Sequence, residues 1–489
     1  MERILHMLNE WTWGVPMLVL MLASGLTFTL ATRFVQFRRF GTVMRTSVGS
    51  MLSHPDQPGT LSPFQAVATA LAATVGTGNI AGVAGAIALG GPGAMFWMWV
   101  SALLGMATKY AEVLLSVHFR QRNSRGEWVG GPMYTILNGL GPRWKPLAML
   151  FAALGAASAF GIGNMAQINT VTSVITGVVG SLDPAAIGVR TPIARTVGIL
   201  ALFFCALILL GGTQRIGKCT ELLVPLMSAA YICATLWILI TNAPMLKTVL
   251  VRIFQGAFKP ESVIGGAAGI GIRQTIRLGI GRGVFSNEAG LGSAPIAYAS
   301  AATDDPARQG LMGIFEVFVD TLVLSTLTGL SILASPVFIP YGQAVGADLT
   351  LRAFSATFGD IAAGTILAGG MTLFALSTIL SWSLYGLRCV EFLFGAKARI
   401  PYLFCFLLAI LPGSGMELGV VWTLSDLLNG WMALPNLLSI LLLRKTVVRL
   451  SAHSALTHAS RVGPNISKRV RRAPRISLIL ARPFPGKDL

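Results

Sequence analysis

Residues 72–82 place three glycines, two threonines and Asn79 inside an apolar segment that is long enough to cross a bilayer. Each glycine inside a helix costs about 1 kcal/mol relative to alanine, so a continuous helix is unfavourable here. Backbone that is not helical at membrane depth is tolerated only where it lines a cavity or a ligand. The pattern predicts two half-helices with an unwound middle. The alternative is a glycine-rich helix packed through small residues, but packing alone does not need Asn79.

A second stretch of this character, residues 277–293, combines glycines with charged and amide side chains at membrane depth. It follows the first stretch by about 210 residues. Glycine-interrupted segments in corresponding positions of two halves indicate an inverted-repeat transporter and its binding site. We therefore predict repeats over residues 61–241 and 262–443, joined by an extracellular linker over 242–261.

The composition sets the class of protein. Of the 489 residues, 54% are hydrophobic and 11% are charged, whereas soluble domains carry roughly 25% charged residues. The chain is therefore predicted to be an all-α polytopic membrane protein. Residues 1–60 supply a first helix and a basic loop, and eleven spans fit the whole sequence, at about 12–32, 61–90, 93–118, 146–178, 196–212, 219–241, 262–301, 308–337, 360–387, 400–413 and 417–443.

The net charge of +18 is a topology signal. Loops on one side of the predicted spans carry 26 Lys and Arg residues, whereas loops on the other side carry seven. The positive-inside rule places the N-terminus outside and the C-terminus in the cytoplasm. The basic tail over residues 444–489 is predicted to be disordered and near anionic lipid, rather than an arm that binds nucleic acid.

An enzymatic function is not indicated. The chain has five histidines, and none lies in the two polar interrupted stretches. The five cysteines fall in or beside apolar runs without the spacing of a metal site or a disulfide framework. No nucleophile–base motif is present.

Four motifs carry a resemblance to a known family. Residues 77–83, 130–134, 282–295 and 426–436 together resemble the alanine or glycine:cation symporter family, also called sodium:alanine symporters. The resemblance runs from about residue 10 to 443. It implies a bacterial or archaeal inner-membrane protein with a LeuT-like fold, a 5+5 inverted repeat plus one N-terminal helix. It also implies uptake of alanine, glycine or another small neutral amino acid with sodium, by alternating access, and no cofactor besides the transported ion.

The resemblance also assigns site residues. Ala72, Val75, Ser377 and Thr378 are expected to hold one sodium ion, and Thr74 with Asn79 a possible second. The residues expected to bind the substrate are Gly76, Thr77, Gly78, Asn79, Gln167, Phe285, Ser286 and Asn287.

An amino-acid zwitterion needs N–H donors for its carboxylate and acceptors for its ammonium group. The half-helix that begins near Gly78 offers free N–H groups at a positive dipole end, and Gly78 is expected to hold a backbone conformation closed to residues with a Cβ. Carbonyls near Phe285 and Ser286 can accept from the ammonium group. For Gln167, substrate contact and an interhelical hydrogen bond are equally supported.

Charged residues within the spans need partners. Lys109 and Glu112 lie three apart on one helix face and are expected to pair. Glu316 and Asp320 are expected to meet Arg282 or Arg277, and Glu288 to accept from open backbone N–H groups. Of this set, Arg282, Glu288 and Asp320 are assigned to gating or coupling. Proton coupling through Asp320 or Glu288 stays open, and an ion channel is a further alternative.

Overall fold

The computed structural model describes residues 7–8, 12–50, 61–182, 190–260, 270–416 and 418–462, which are almost entirely helical. The first half contains α1 (Val15–Ala31), α2 (Val35–Arg38), α3 (Phe40–Gly49), α4 (Pro63–Thr74), α5 (Ala81–Gly90), α6 (Ala94–His118), α7 (Pro132–Leu140), α8 (Lys145–Phe160), α9 (Ala166–Leu182), α10 (Arg190–Leu209) and α11 (Gly212–Thr241). The second half contains α12 (Leu246–Phe258), α13 (Ile272–Asn287), α14 (Pro295–Tyr298), α15 (Pro306–Val317), α16 (Thr326–Ala334), α17 (Ala347–Phe358), α18 (Asp360–Phe394), α19 (Arg399–Leu408), α20 (Ile410–Gly415), α21 (Leu418–Leu442) and α22 (Arg444–Val462).

The first predicted break is present between α4 and α5. A capping box between Ser62 and Gln65 starts α4, with Pro63 at its first position. The helix ends at Thr74, a short 3₁₀ turn covers residues 77–79, and α5 leaves at an angle of 54° to α4. The glycines thus interrupt the span where their low helix propensity predicts it.

The second break lies further along the chain than predicted. Residues 277–287 belong to α13, and the non-helical backbone covers 288–294. Glu288 ends α13 in the left-handed region with φ of 54°, and Gly290 and Gly292 have φ of 96° and 82°. These positive φ values, rather than the earlier glycines, mark the place where the helix stops.

Two further spans contain a π-helical turn. Residues 161–165 join α8 to α9, and residues 318–325 join α15 to α16. Each π turn adds a residue to the helical turn and so changes which side chains face the interior. The overlong span predicted at 146–178 is therefore one continuous helical segment with a π turn and does not contain an unwound break.

The count of spans is less definite than the sequence suggests. Among the described residues, seven helical segments are long and apolar enough to cross a membrane, and two bent pairs raise the number to nine. The helix α1 is apolar but has 17 residues, just under the usual length. The number eleven stays a prediction.

The tail differs from the prediction as well. Residues 444–462 form α22, which leaves α21 at an angle of 63°. Val447 and Leu450 are buried against the protein, and Ser451 Oγ lies 2.8 Å from Tyr110 Oη. Packing against α6 thus stabilises a helix over residues 444–462, although the sequence of these residues has no sustained helical periodicity. Residues 463–489 lie outside the described part of the chain.

The described residues include one small sheet outside the helices. The strands β1 (Gln121–Arg122) and β2 (Trp128–Val129) form an antiparallel hairpin between α6 and α7, with Gln121 opposite Val129. This hairpin contacts the ends of several spans.

Candidate functional site

The break between α4 and α5 leaves several backbone groups open. Gly76 N–H donates to Asn79 Oδ1 at 3.0 Å, so it does not continue α4 by bonding to the carbonyl of Ala72. The amides of Thr77 and Gly78 lie in the first turn of a new helical segment. The N–H groups of a first turn have no carbonyl of a preceding turn as hydrogen-bond acceptor. Thr77 Oγ1 is buried and has no hydrogen-bond partner among the described residues. The break thus presents N–H and hydroxyl donors suited to a carboxylate.

The steric demand for glycine is at Gly76, not at Gly78. A Cβ on Gly76 would lie 2.9 Å from Thr378 Oγ1 and 3.4 Å from Gln167 Oε1. A Cβ on Gly78 would meet the ring of Phe285 at 3.6 Å, an ordinary contact, and the φ of Gly78 is not positive. The prediction that the backbone of Gly78 excludes a Cβ is therefore wrong.

Gln167 faces the break from α9. Its Nε2 donates to the carbonyl of Ile162 at 2.9 Å, across the π turn of its own segment. Its Oε1 is buried without a hydrogen-bond partner among the described residues, close to Gly76. The amide therefore does not make the alternative interhelical bond, and it leaves an acceptor beside the open backbone.

A set of oxygen atoms lies where α18 meets the end of α4. Thr378 Oγ1 donates to the carbonyl of Ala72 at 2.8 Å and to that of Phe374 at 2.9 Å, and Ser377 Oγ donates to the Phe374 carbonyl at 2.8 Å. The structure thus brings together two of the four predicted sodium ligands, Ala72 and Thr378, while Ser377 Oγ bonds within its own helix and lies 3.7 Å from Met227 Sδ. Hydroxyl and carbonyl oxygens are ligands suited to a hard cation. Val75, the fourth, is the buried residue after α4.

The residues predicted for a second sodium ion are not brought together in the same way. Thr74 Oγ1 bonds to the carbonyls of Ala70 and Leu71 in its own helix, at 3.3 Å each. The side chain of Asn79 points instead toward Asp320, and its Nδ2 lies 2.7 Å from Asp320 Oδ1.

Asp320 is the centre of a buried polar network. Its Oδ2 accepts from Ser286 Oγ at 2.9 Å and from Thr321 Oγ1 at 2.7 Å. Asn79 Nδ2 also lies 3.1 Å from Ser325 Oγ. The π turn over 318–325 aligns these side chains. Asp320 therefore does not meet Arg282, as the sequence led us to expect, but connects the first break and the end of α13 to the π turn between α15 and α16.

Asn287 takes part in a neighbouring contact. Its Nδ2 donates to Thr321 Oγ1 at 3.1 Å, and its Oδ1 accepts from the Ala289 amide at 3.0 Å. Both polar atoms thus stabilise the end of α13, and the role of Asn287 in substrate binding stays a prediction.

Aromatic and charged side chains lie next to the breaks. The rings of Phe285 and Trp422 lie 5.5 Å apart, and the Arg282 guanidinium lies 5.5 Å from the Phe285 ring centroid. Arg282 Nη2 is 3.6 Å from Asp426 Oδ2. Phe285 covers Gly78, while Arg282 joins α13 to α21 through Asp426.

The buried charges of α6 find their partners on other helices. Lys109 Nζ lies 3.2 Å from Glu316 Oε1, and both side chains are fully buried. Asn436 donates to Glu112, so the expected pair of Lys109 with Glu112 is wrong. The expected contact of Glu316 with an arginine is replaced by this lysine because α15 packs directly on α6.

Glu288 also has side-chain partners. Ser293 donates to one carboxylate oxygen, and Trp382 Nε1 donates to the other at 3.1 Å. Side chains therefore take the place of the open backbone N–H groups that we expected. The carboxylate connects the break over 288–294 to α18. This arrangement suits a structural role for Glu288.

Sequence reasoning missed several of these residues. Trp422, Asp426, Thr321, Ser325 and Trp382 were not assigned to the site, although Asp426 begins one of the family motifs. A charged residue inside an apolar span is a signal for Asp426. The other four have no local signal, since each acts through a residue more than 30 positions away or through a π turn.

Comparisons with known proteins identify the family of this chain. The model of the family described as "Sodium:alanine symporter family" matches residues 1–462, which includes α22 and extends beyond the resemblance that ended at residue 443. The chain is 43% identical over 451 residues to "Sodium/alanine symporter AgcS" of Methanococcus maripaludis, with 91% of this chain and 95% of the relative covered. It is 40% identical over 452 residues to an "Uncharacterized transporter" of Haemophilus influenzae, with 91% and 94% covered.

A solved structure shows the same fold. The crystal structure of MhsT in complex with L-phenylalanine superposes with a TM-score of 0.58, covering 87% of this chain and 98% of that chain. The sequence identity is 14%, so the likeness concerns the fold alone. The prediction of a LeuT-like fold is confirmed.

Proposed function

We propose, because this chain belongs to the sodium:alanine symporter family, that it imports alanine, glycine or a similar small neutral amino acid together with sodium. The chain is a multi-pass membrane protein, and the inner membrane with the C-terminus in the cytoplasm is the location we infer. One observation carries the proposal: Thr378 Oγ1 lies 2.8 Å from the carbonyl oxygen of Ala72, in the last turn of α4 before the break that contains the open amides of Thr77 and Gly78.

The parts of the substrate have complementary partners at this place. The amides of Thr77 and Gly78 and the free Thr77 hydroxyl can donate to a carboxylate. Gln167 Oε1 and the carbonyls at the end of α13 can accept from an ammonium group. Phe285, against Gly78, is placed to limit the size of the side chain.

Coupling follows from the shared position of the two ligands. A sodium ion held by Ala72, Val75, Ser377 and Thr378 joins the end of α4 to α18. The same stretch of backbone binds the substrate carboxylate at Thr77 and Gly78, two and three residues after Val75. The cation therefore orders the backbone that the amino acid binds, which makes binding of the two favourable together.

Proton coupling is the second candidate function. Asp320 supports it, because this fully buried carboxylate has no basic side chain within 4 Å among the described residues and contacts Asn79 in the first break and Ser286 near the end of α13. Intramembrane carboxylates in such positions bind protons in other transporters. Against an ion channel, two polar breaks packed against aromatic rings suit an enclosed site better than a continuous pore.

The deciding experiment is uptake of labelled alanine by proteoliposomes. We expect accumulation with an inward sodium gradient at equal pH on both sides, and none when potassium or choline replaces sodium. Accumulation driven by a pH gradient without sodium would instead favour proton coupling. Single-channel currents in planar bilayers would favour the channel.

The size of the pocket predicts selectivity. Phe285 lies at van der Waals distance from the Cβ position of Gly78, so a long side chain has to displace the ring. We expect unlabelled leucine and phenylalanine to compete with alanine uptake at least about tenfold more weakly than glycine does. Competition by phenylalanine as strong as that by glycine would contradict the assigned pocket.

Asp320→Asn separates the two coupling ions. The carboxylate accepts hydrogen bonds from Asn79, Ser286 and Thr321. Asparagine in its place presents an NH₂ group to at least one of these donors, so that hydrogen bond is lost. We expect alanine affinity to fall about tenfold, while uptake stays dependent on sodium. If the parent protein shows pH-driven uptake without sodium and Asp320→Asn abolishes that uptake, protons are a coupled ion and Asp320 is their site.

A further inference from the structure

The segment over residues 119–131, here called the hairpin segment, contains β1 and β2 and connects α6 to α7. It lies on the side of the protein that the charge distribution predicts to be cytoplasmic. Its start and its turn contact different parts of the transporter, and these contacts do not belong to the substrate or sodium site.

One set of contacts holds the end of the second broken span. The guanidinium of Arg120 donates to the carbonyls of Ala299, Ala301 and Thr303 at 3.1, 2.6 and 2.5 Å. Burial lowers the pKa of Arg120 to about 10, so it stays charged at neutral pH. Its guanidinium also lies 4.2 Å from the ring of Trp128. One arginine thus satisfies three carbonyls just after α14.

The same backbone holds the start of the first broken span. Leu61 N–H donates to the carbonyl of Ser300 at 3.1 Å, and Ala302 N–H donates to the carbonyl of Leu61 at 2.8 Å. This parallel bridge joins the residue before α4 to the residues after α14. Arg120 therefore fixes the ends of both broken spans at once.

The other set of contacts reaches α18 and α19. Glu127 Oε2 lies 2.8 Å from Arg388 Nη2 and 3.3 Å from Arg399 Nη1. Asn123 Nδ2 donates to Glu391 Oε1 at 2.8 Å, and Glu391 pairs with Arg388 at 2.7 Å. The hairpin segment is thus fixed to the two helices by ion pairs at its turn.

Glu127 is ionised in this setting. Burial by itself raises the pKa of its carboxyl, but the charges of Arg388 and Arg399 and the hydrogen bonds from Arg388 and Asn123 outweigh burial and lower the pKa below the usual 4.5. A carboxylate with a lowered pKa keeps its stabilising contacts above the unfolded-state pKa and loses them only as the pH falls through the lowered value. These ion pairs therefore persist at neutral pH.

We propose that the hairpin segment is a latch that keeps the site closed on this side, and that Glu127 and Arg120 position it. In inverted-repeat transporters one group of helices rocks or opens against the other around the site. Here the hairpin segment joins the ends of both broken spans to α18 and α19. Opening toward this side requires Glu127 to leave Arg388 and Arg399. The role of the latch in transport rests on the proposed function, whereas the contacts that hold the hairpin segment in place do not.

The test uses a cysteine beneath the latch. Ser300 is buried, and its Oγ lies 3.3 Å from the Trp128 carbonyl. We place Ser300→Cys in a full-length background in which Cys219, Cys233 and Cys405 are serine, since these cysteines are partly or fully exposed. The labelling rate by a hydrophilic maleimide is measured on detergent-purified protein. With Glu127→Gln we expect about tenfold faster labelling, because hydrogen bonds to charged groups contribute at least that factor to an equilibrium.

The matched control is Arg122→Gln in the same hairpin. Arg122 also lies over the Trp128 ring, at 4.6 Å, and bonds to the Gly126 carbonyl within the hairpin. We expect labelling at the parent rate. Equal rates for Glu127→Gln and the parent overturn the latch, and so does an equal rise in Arg122→Gln, which indicates general loosening of the hairpin.

Two further measurements keep the result interpretable. If Glu127→Gln is not monodisperse, Arg399→Gln replaces it, with the same expected direction and the same overturning outcome. Alanine binding is measured by calorimetry on the same samples. Faster labelling with no alanine binding in the parent supports the latch and contradicts the proposed substrate, so failure of one proposal is distinguishable from failure of the other.

Discussion

Gly76→Val is expected to weaken alanine binding at least about 100-fold and to abolish sodium-dependent uptake. The new Cβ alone would lie 2.9 Å from Thr378 Oγ1 and 3.4 Å from Gln167 Oε1. Relief of this overlap requires the Thr378 hydroxyl to turn away from the carbonyl of Ala72, or the break to move away from α18. Either movement removes sodium ligands and displaces the amides of Thr77 and Gly78. The measurement is calorimetry with alanine in saturating sodium, on monodisperse protein.

The chain offers matched controls for this substitution. A Cβ on Gly82, in α5, meets no atom within 4 Å, so Gly82→Ala is expected to bind alanine as the parent does. Gly78→Ala is expected to be milder than Gly76→Val, since its Cβ makes an ordinary contact with Phe285. Normal alanine binding by Gly76→Val would show that the break is not the substrate site.

Ser377→Ala combined with Thr378→Val is expected to raise the sodium concentration for half-maximal uptake at least about tenfold. Valine keeps the shape of threonine but removes the hydroxyl that contacts the Ala72 carbonyl at 2.8 Å. Loss of an oxygen ligand to a charged group corresponds to about 1.5–3 kcal/mol, or tenfold and more in affinity. The measurement is initial uptake of labelled alanine as a function of external sodium, at constant ionic strength and pH.

Ser383→Ala provides the control on the same helix. Ser383 is buried, as Ser377 and Thr378 are, but its Oγ bonds to the carbonyl of Leu380 in its own helix at 2.6 Å. Its removal is expected to leave the sodium dependence unchanged. A double variant with the parent sodium dependence would place the coupling ion elsewhere, and Asp320 would then be the first position to test.

The sequence alone determined where the first span breaks. Gly76 and Gly78 act on the backbone of their own turn, and this local effect is readable without knowledge of the fold. Charge and hydrophobicity likewise established a polytopic membrane protein, because lipid accepts few charged residues anywhere in a span. The family motifs added the LeuT-like fold and the neighbouring hydroxyls of Ser377 and Thr378.

The tertiary structure decided which side chains meet. Lys109 pairs with Glu316, 207 positions away, although Glu112 lies three positions away on the same helix. Asn79 similarly meets Asp320, 241 positions away, through a π turn that no local pattern marked. Spacing along a helix shows which residues share a face, but packing of a second helix decides which of them is close enough to bond.

The same reason explains the change from Gly78 to Gly76. Both glycines have the same local signal, and the backbone of Gly78 accepts a Cβ. Gly76 requires the absence of a Cβ because α18 and α9 bring Thr378 and Gln167 against it. The sequence determined that the helix breaks at these glycines, and the approach of distant helices decided which glycine the site cannot replace.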